Sequence, residues 1–180
     1  MTIVDEIYDL FGRFGSEAYG EALSLEAHML QSAAHARALH APPSVIAAAL
    51  LHDIGYFVRS NEGLAHGDDD TGHEAIGATW LSRGFGEAVT APIALHVQAK
   101  QYLCAVEPGY FGRLSDASRR SLEVQGGVMD AAQAAAFRGR PAFEAAVSLR
   151  RCDDLGKDPS TPTPGLEDYR DLLMGCLRKD

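Results

Sequence analysis

The stretch Ala47-Ala-Ala-Leu-Leu-His52-Asp53-Ile-Gly-Tyr56 constrains the fold more than any other part of the chain, because it leaves no room for a solvated face and carries a His-Asp pair. A helix without a polar face belongs in the middle of a bundle, where other helices cover it all round. Adjacent residues of one helix point about 100° apart, so His52 and Asp53 can share a small ligand only if one of them reaches over or bridges. A carboxylate beside so much Ala, Leu and Ile is costly to desolvate, and a bound cation is the usual remedy. The alternative is a helix C-terminus whose His and Asp face water. On this stretch alone both readings stand, and the other histidines must decide.

The rest of the chain reads as helices around that segment. Ile3, Ile7, Leu10 and Phe11 share one face of a helix over residues 2 to 13. Ser24 caps a helix from Leu25 to His40, with His28 beside its apolar face. Pro42-Pro43-Ser44 ends that helix and starts the next, read as one helix from Val45 to Tyr56. A polar loop from Arg59 to Gly72 follows, and its acid run Asp68-Asp69-Asp70 is assigned to solvent. Gly72-His73-Glu74 opens another helix, and Glu87 to Leu103 a longer one in which Pro92 predicts a kink or a break. That helix carries His96 and Lys100, four apart and so on one face. Further helices are read over Asp116 to Val124, Asp130 to Phe137, Phe143 to Leu155 and Leu166 to Leu177. No segment alternates apolar and polar residues long enough for a strand. The expected architecture is all-α, one helical bundle over residues 1–180.

Composition narrows the function classes. At 46% hydrophobic the 180 residues suffice for one domain with a proper core. Lys and Arg total 16 against 25 Asp and Glu, a net charge of −9 with no basic block, which argues against nucleic acid or an anionic membrane as a general partner. Cys104, Cys152 and Cys176 form no CxxC pair and suit a reducing compartment. The longest apolar run, Val45 to Leu51, falls far short of the roughly 20 residues of a membrane span. The expectation is a cytoplasmic protein.

His28, His52, Asp53, His73, His96 and Asp153 are spread over five expected helices, each near an apolar segment. Helices that bury their apolar faces against a central one can aim such groups into one cavity. His35, His40 and His66 lack that relation and are read as ordinary structural or exposed histidines.

The early helical His28, the pair His52-Asp53 and the distant Asp153, with His73 and His96 between, match in order the HD-domain metalloproteins, which the chain resembles. A narrower resemblance covers nearly the whole length. The stretches Tyr19-Gly20-Glu21, His73-Glu74-Ala-Ile-Gly-Ala, His96-Val-Gln-Ala-Lys100, Leu114-Ser-Asp-Ala-Ser118-Arg119 with Gln125-Gly-Gly, and Arg150-Arg-Cys-Asp153-Asp-Leu-Gly-Lys157 are similar to the HD-domain phosphonate oxygenases. Those enzymes use a mixed-valent di-iron centre and O2 to break a carbon-phosphorus bond. The resemblance implies two iron ions, Fe2+ and Fe3+. His28, His52, Asp53 and Asp153 would hold one, and His73, His96 and the bridging Asp53 the other. It implies a small phosphonate substrate, with Ser118 and Gln125 as hydrogen-bond donors to it. It also assigns Tyr19 and Glu21 to a loop that covers the iron before substrate arrives.

Imidazoles and carboxylates suit iron, with positions left for substrate and O2. The same donors could equally hold two manganese ions and activate water for phosphoester hydrolysis, and a metal-binding module without turnover is a third reading. Lys100 shares a face with His96, and Arg150 lies one turn before Asp153, so both are expected to meet an anion at the metals. One departure points to the substrate: Tyr56 stands where aminophosphonate-cleaving members carry His. An aromatic face favours a methylated ammonium through cation-π contact over a primary amine. The expected substrate is therefore 1-hydroxy-2-(trimethylammonio)ethylphosphonate, giving glycine betaine and phosphate, with 2-amino-1-hydroxyethylphosphonate as the alternative.

Overall fold

The computed structural model describes residues 2–18, 22–64 and 72–179, and among these the backbone is helical with no strand. Helix α1 spans Ile3–Phe14, α2 Leu25–Ala38, α3 Pro43–Leu51, α4 Ile54–Asn61, α5 His73–Leu81 and α6 Glu87–Val106. The second half of the chain adds α7 (Tyr110–Arg113), α8 (Asp116–Val124), α9 (Ala131–Arg138), α10 (Phe143–Leu155) and α11 (Arg170–Gly175), the last entered through a 3-10 turn at Leu166–Tyr169.

The all-apolar segment lies where its composition demands. Every residue of α3 from Val45 to Leu51 is buried, and α2, α6 and α10 pack against it. Helices α6 and α10 also pack closely on each other and run through two apolar clusters. Ile93 of α6 and Leu149 and Cys152 of α10 belong to the cluster around α1 to α5, whereas Leu95, Ala99 and Ala146 belong to one with Tyr110, Leu122 and Phe137. Ser24 starts its helix as expected, its Oγ accepting from the Ala27 amide at 3.2 Å, while Asp130, read as the first helical residue, is the N-cap of α9 and forms a capping box with Gln133.

Several boundaries differ from expectation: the helix read to His40 ends at Ala38, and the one read from Leu166 to Leu177 is a 3-10 turn followed by the six-residue α11. The helix read from Val45 to Tyr56 is two helices, because Asp53 leaves helical geometry at φ −101°, ψ 8°. This break solves the divergence of adjacent side chains, since His52 and Asp53 no longer sit on one regular helix. Pro92 breaks nothing. It lies in the second turn of α6, where it removes only the bond to the Ala88 carbonyl, and the helix continues to Val106. The short α7 after Gly109, at φ +77°, was not expected at all.

Helices α4 and α5 touch backbone to backbone. A Cβ on Gly55 would lie 1.9 Å from the carbonyl oxygen of His73, and one on Gly77 would lie 3.1 Å from the Gly55 nitrogen. The glycine two residues after Asp53 thus sets how close His73 comes to the His-Asp pair. Gly55→Ala should destabilise the fold by at least about 2 kcal/mol, a drop of roughly 4–8 °C in melting temperature. It should also displace His73, which thermal melts together with metal analysis will show.

Candidate metal centre

Two sets of three side chains converge. His28, His52 and Asp153 present ligand atoms within 4.8 Å of one another, and so do Asp53, His73 and His96. Asp53 lies between the sets. Its Oδ2 is 3.6 Å from His28 Nε2 and 3.3 Å from His52 Nε2, while Oδ1 is 3.3 Å from His73 Nε2 and 3.7 Å from His96 Nε2. One carboxylate therefore faces both sets with different oxygens, the disposition of a bridge. Asp153 approaches from α10, with Oδ1 3.4 Å from His28 Nε2.

The outer nitrogens fix the rings. Nδ1 of His28, His52 and His96 lies 2.8, 2.9 and 2.7 Å from the carbonyl oxygens of Gly156, Ala49 and Ile93. A carbonyl only accepts, so each of these rings holds a proton on Nδ1 and can turn the Nε2 lone pair inward. The inward nitrogens then crowd: His28 and His52 Nε2 are 3.2 Å apart, and His73 and His96 Nε2 3.1 Å. Lone pairs so placed need a cation between them, and six buried donors in two overlapping sets fit a pair of metal ions with nitrogen and oxygen ligation. His73 Nδ1 lies 3.5 Å from Glu74 Oε2 instead.

Burial and charge oppose each other here. Burial works to raise the Asp53 carboxyl, but His52 and His73 beside it hold it well below the usual carboxylate range. Burial likewise works against Asp153, but Arg150 and Lys157 hold it well below that range. His52 is pushed down by burial and up by Asp53, and the net effect is a raised value. His96 falls to about 3, through burial first and the neighbouring His73 and His52 next. The ionised carboxylates and the neutral His96 are in the states a metal ligand needs, whereas His52, with its raised value, must release a proton to ligate a metal.

A cavity of about 110 Å³ opens over these ligands. The expected anion-binding residues reach it, as do two that the sequence reading passed over. Lys100 is buried and its Nζ donates to Ser121 Oγ at 2.6 Å, while Ser118 Oγ accepts from Lys157 Nζ at 2.6 Å. Gln125 also lines the wall. Lys157 and Ser121 are the additions. The four-residue spacing from Asp153 to Lys157 carried the same signal as His96 to Lys100 but falls across the end of α10. Arg150 lines the cavity too, yet its guanidinium is engaged with Asp153, Asp154 and Tyr110. Tyr56 borders the cavity and stacks flat on His73, with ring centroids 4.4 Å apart and planes at 13°. Tyr19 and Glu21 lie outside the described residues, as do His66 and the acid run.

Comparison with known proteins agrees with this geometry. The HD domain family matches residues 25–109, which include His28, His52, Asp53, His73 and His96. The hydroxymethylphosphonate dioxygenase of Gimesia maris is 43% identical over 179 residues, covering 97% of this chain and 88% of the relative. The [1-hydroxy-2-(trimethylamino)ethyl]phosphonate dioxygenase (glycine-betaine-forming) of Leisingera caerulea is 43% identical over 181 residues, covering 99% and 92%. The chain belongs to the HD-domain phosphonate oxygenases. It is an enzyme of the oxygenase class. No helix of this oxygenase, among its described residues, is long and apolar enough to cross a membrane.

Proposed function

We propose that this oxygenase uses O2 to break the carbon-phosphorus bond of a 1-hydroxyphosphonate. In this reading His28, His52, Asp53 and Asp153 hold one iron ion, and His73, His96 and the bridging Asp53 hold the other. The observation that carries it is the juxtaposition of Lys100, Ser118, Gln125 and Lys157 with the converging ligands around one small cavity. Bound as Fe2+ and Fe3+, the metals would supply the redox chemistry that couples O2 to oxidation of the hydroxyl-bearing carbon. The chain binds and orients. Lys100 and Lys157 meet the phosphonate charge, Ser118 and Gln125 fix its oxygens, and the apolar clusters behind the ligands keep water out. Tyr19 and Glu21 are assigned to the covering loop, to be displaced when substrate binds.

For the substituent, the trimethylammonio compound is the first choice, carried by Tyr56 at the cavity edge. Stacking on His73 uses one face of that ring, so the ammonium must meet the other face or the edge. One observation favours a second reading. Apart from Asp53 and Asp153, the described wall carries three cations and no carboxylate, which is more hospitable to hydroxymethylphosphonate, a substrate without any ammonium. Phosphate release from the trimethylammonio, amino and hydroxymethyl compounds, each offered separately, decides. The trimethylammonio compound should give the highest kcat/KM. Preference for hydroxymethylphosphonate establishes the second reading, and preference for the primary amine removes the role given to Tyr56.

A further inference from the structure

Arg150 is buried, and it does not aim freely into the cavity. Its Nη1 is 2.7 Å from Asp153 Oδ2, its Nη2 pairs with Asp154 Oδ1, and its Nε donates to Tyr110 Oη at 3.2 Å. The Tyr110 hydroxyl in turn donates to Asp154 Oδ2. Arg150, Tyr110 and Asp154 close a ring of hydrogen bonds, and Asp153 is joined to it through Arg150. Tyr110 comes from the four-residue α7 and is itself buried, so a helix that carries no ligand reaches the centre through one guanidinium. Burial works against the Arg150 charge, but the two carboxylates hold it firmly protonated.

The consequence falls on Asp153. Oδ2 is engaged by Arg150 at 2.7 Å and stays 4.0 Å from His52 Nε2, while Oδ1 faces His28 Nε2 at 3.4 Å with Lys157 Nζ 3.8 Å away, so the carboxylate is held to one orientation with Oδ1 the nearer oxygen to the ligand set. We infer that Tyr110 and Asp154 are positioning residues, which hold Arg150 on Asp153 so that a metal at the His28, His52 and Asp153 position receives a single oxygen. Arg150 then acts on the metal ligand and not on the phosphonate, whose charge falls to Lys100 and Lys157. This rests on the two-metal reading of the site.

The test is an anaerobic Fe2+ titration of the metal-free full chain by calorimetry, repeated with Tyr110→Phe and Asp154→Asn, beside KM for the substrate that the ranking above selects. Tyr110→Phe keeps the buried ring and removes only the hydroxyl. The expected result is two equivalents bound by the parent protein, with affinity for one of them about ten- to a hundredfold weaker in each variant. KM should stay within about twofold and the other equivalent should be unchanged. The proposal is overturned if both variants bind both equivalents as the parent does, or if KM rises while metal affinity holds, which would place Arg150 on the substrate. The titration is read without turnover, so a loaded protein that cleaves no phosphonate sinks the oxygenase function and leaves the Tyr110 result standing by itself.

Discussion

Asp53→Asn should abolish activity and leave the protein with fewer than two metal ions per chain. Among the described residues Asp53 is the only side chain whose two oxygens face different ligand sets, Oδ2 toward His28 and His52 and Oδ1 toward His73 and His96. The amide keeps the shape but loses the charge and one acceptor, so it cannot bridge two cations. Groups that merely support a ligand cost about ten- to a hundredfold when removed. Loss of a shared ligand should therefore lower kcat by well over a hundredfold. Metal analysis of purified protein beside a phosphate-release assay checks both halves. A variant with two ions per chain and near-parental turnover would mean that Asp53 bridges nothing.

The second large effect is expected at Lys100. The residue is 2% exposed, its ammonium is hydrogen-bonded to Ser121, and it lies on the wall of the cavity that the candidate ligands floor. A buried ammonium on the cavity wall meets an anion there with little screening by water. Lys100→Met preserves the stem and removes the charge. Truncating one partner of a buried, hydrogen-bonded charge pair costs about 2–5 kcal/mol, which is roughly thirty- to several-thousandfold in kcat/KM. The loss should appear chiefly in KM, with metal content unchanged, as steady-state kinetics and metal analysis will show. If KM holds and metal is lost instead, Lys100 supports the ligands and does not meet the phosphonate.

The sequence carried much of the helical arrangement because the punctuation is strong. Ser24 and Asp130 cap helices, and α10 runs from Phe143 to Leu155 as read, ended by Gly156. The six donors were legible for a different reason, as polar groups beside apolar faces that have to be buried. What the sequence hid was set by contacts between distant segments. The break at Asp53 goes with the backbone contact between Gly55 and His73, which no local propensity encodes. The register of Arg150 with Asp153 is visible in the sequence, while the grip of Tyr110 and Asp154 on it is not. Lys157 was hidden by the helix end at Gly156. The loop at Tyr19 and Glu21 lies outside the described residues and keeps its standing as an expectation.

The most direct measurement is O2 uptake and phosphate release, recorded together, for anaerobically iron-loaded protein given the preferred hydroxyphosphonate. The prediction is phosphate released only while O2 is consumed, in proportion to it, and none in its absence. Phosphate released without O2, or from a phosphoester under the same conditions, would contradict the oxygenase function and make this centre a metal-dependent hydrolase.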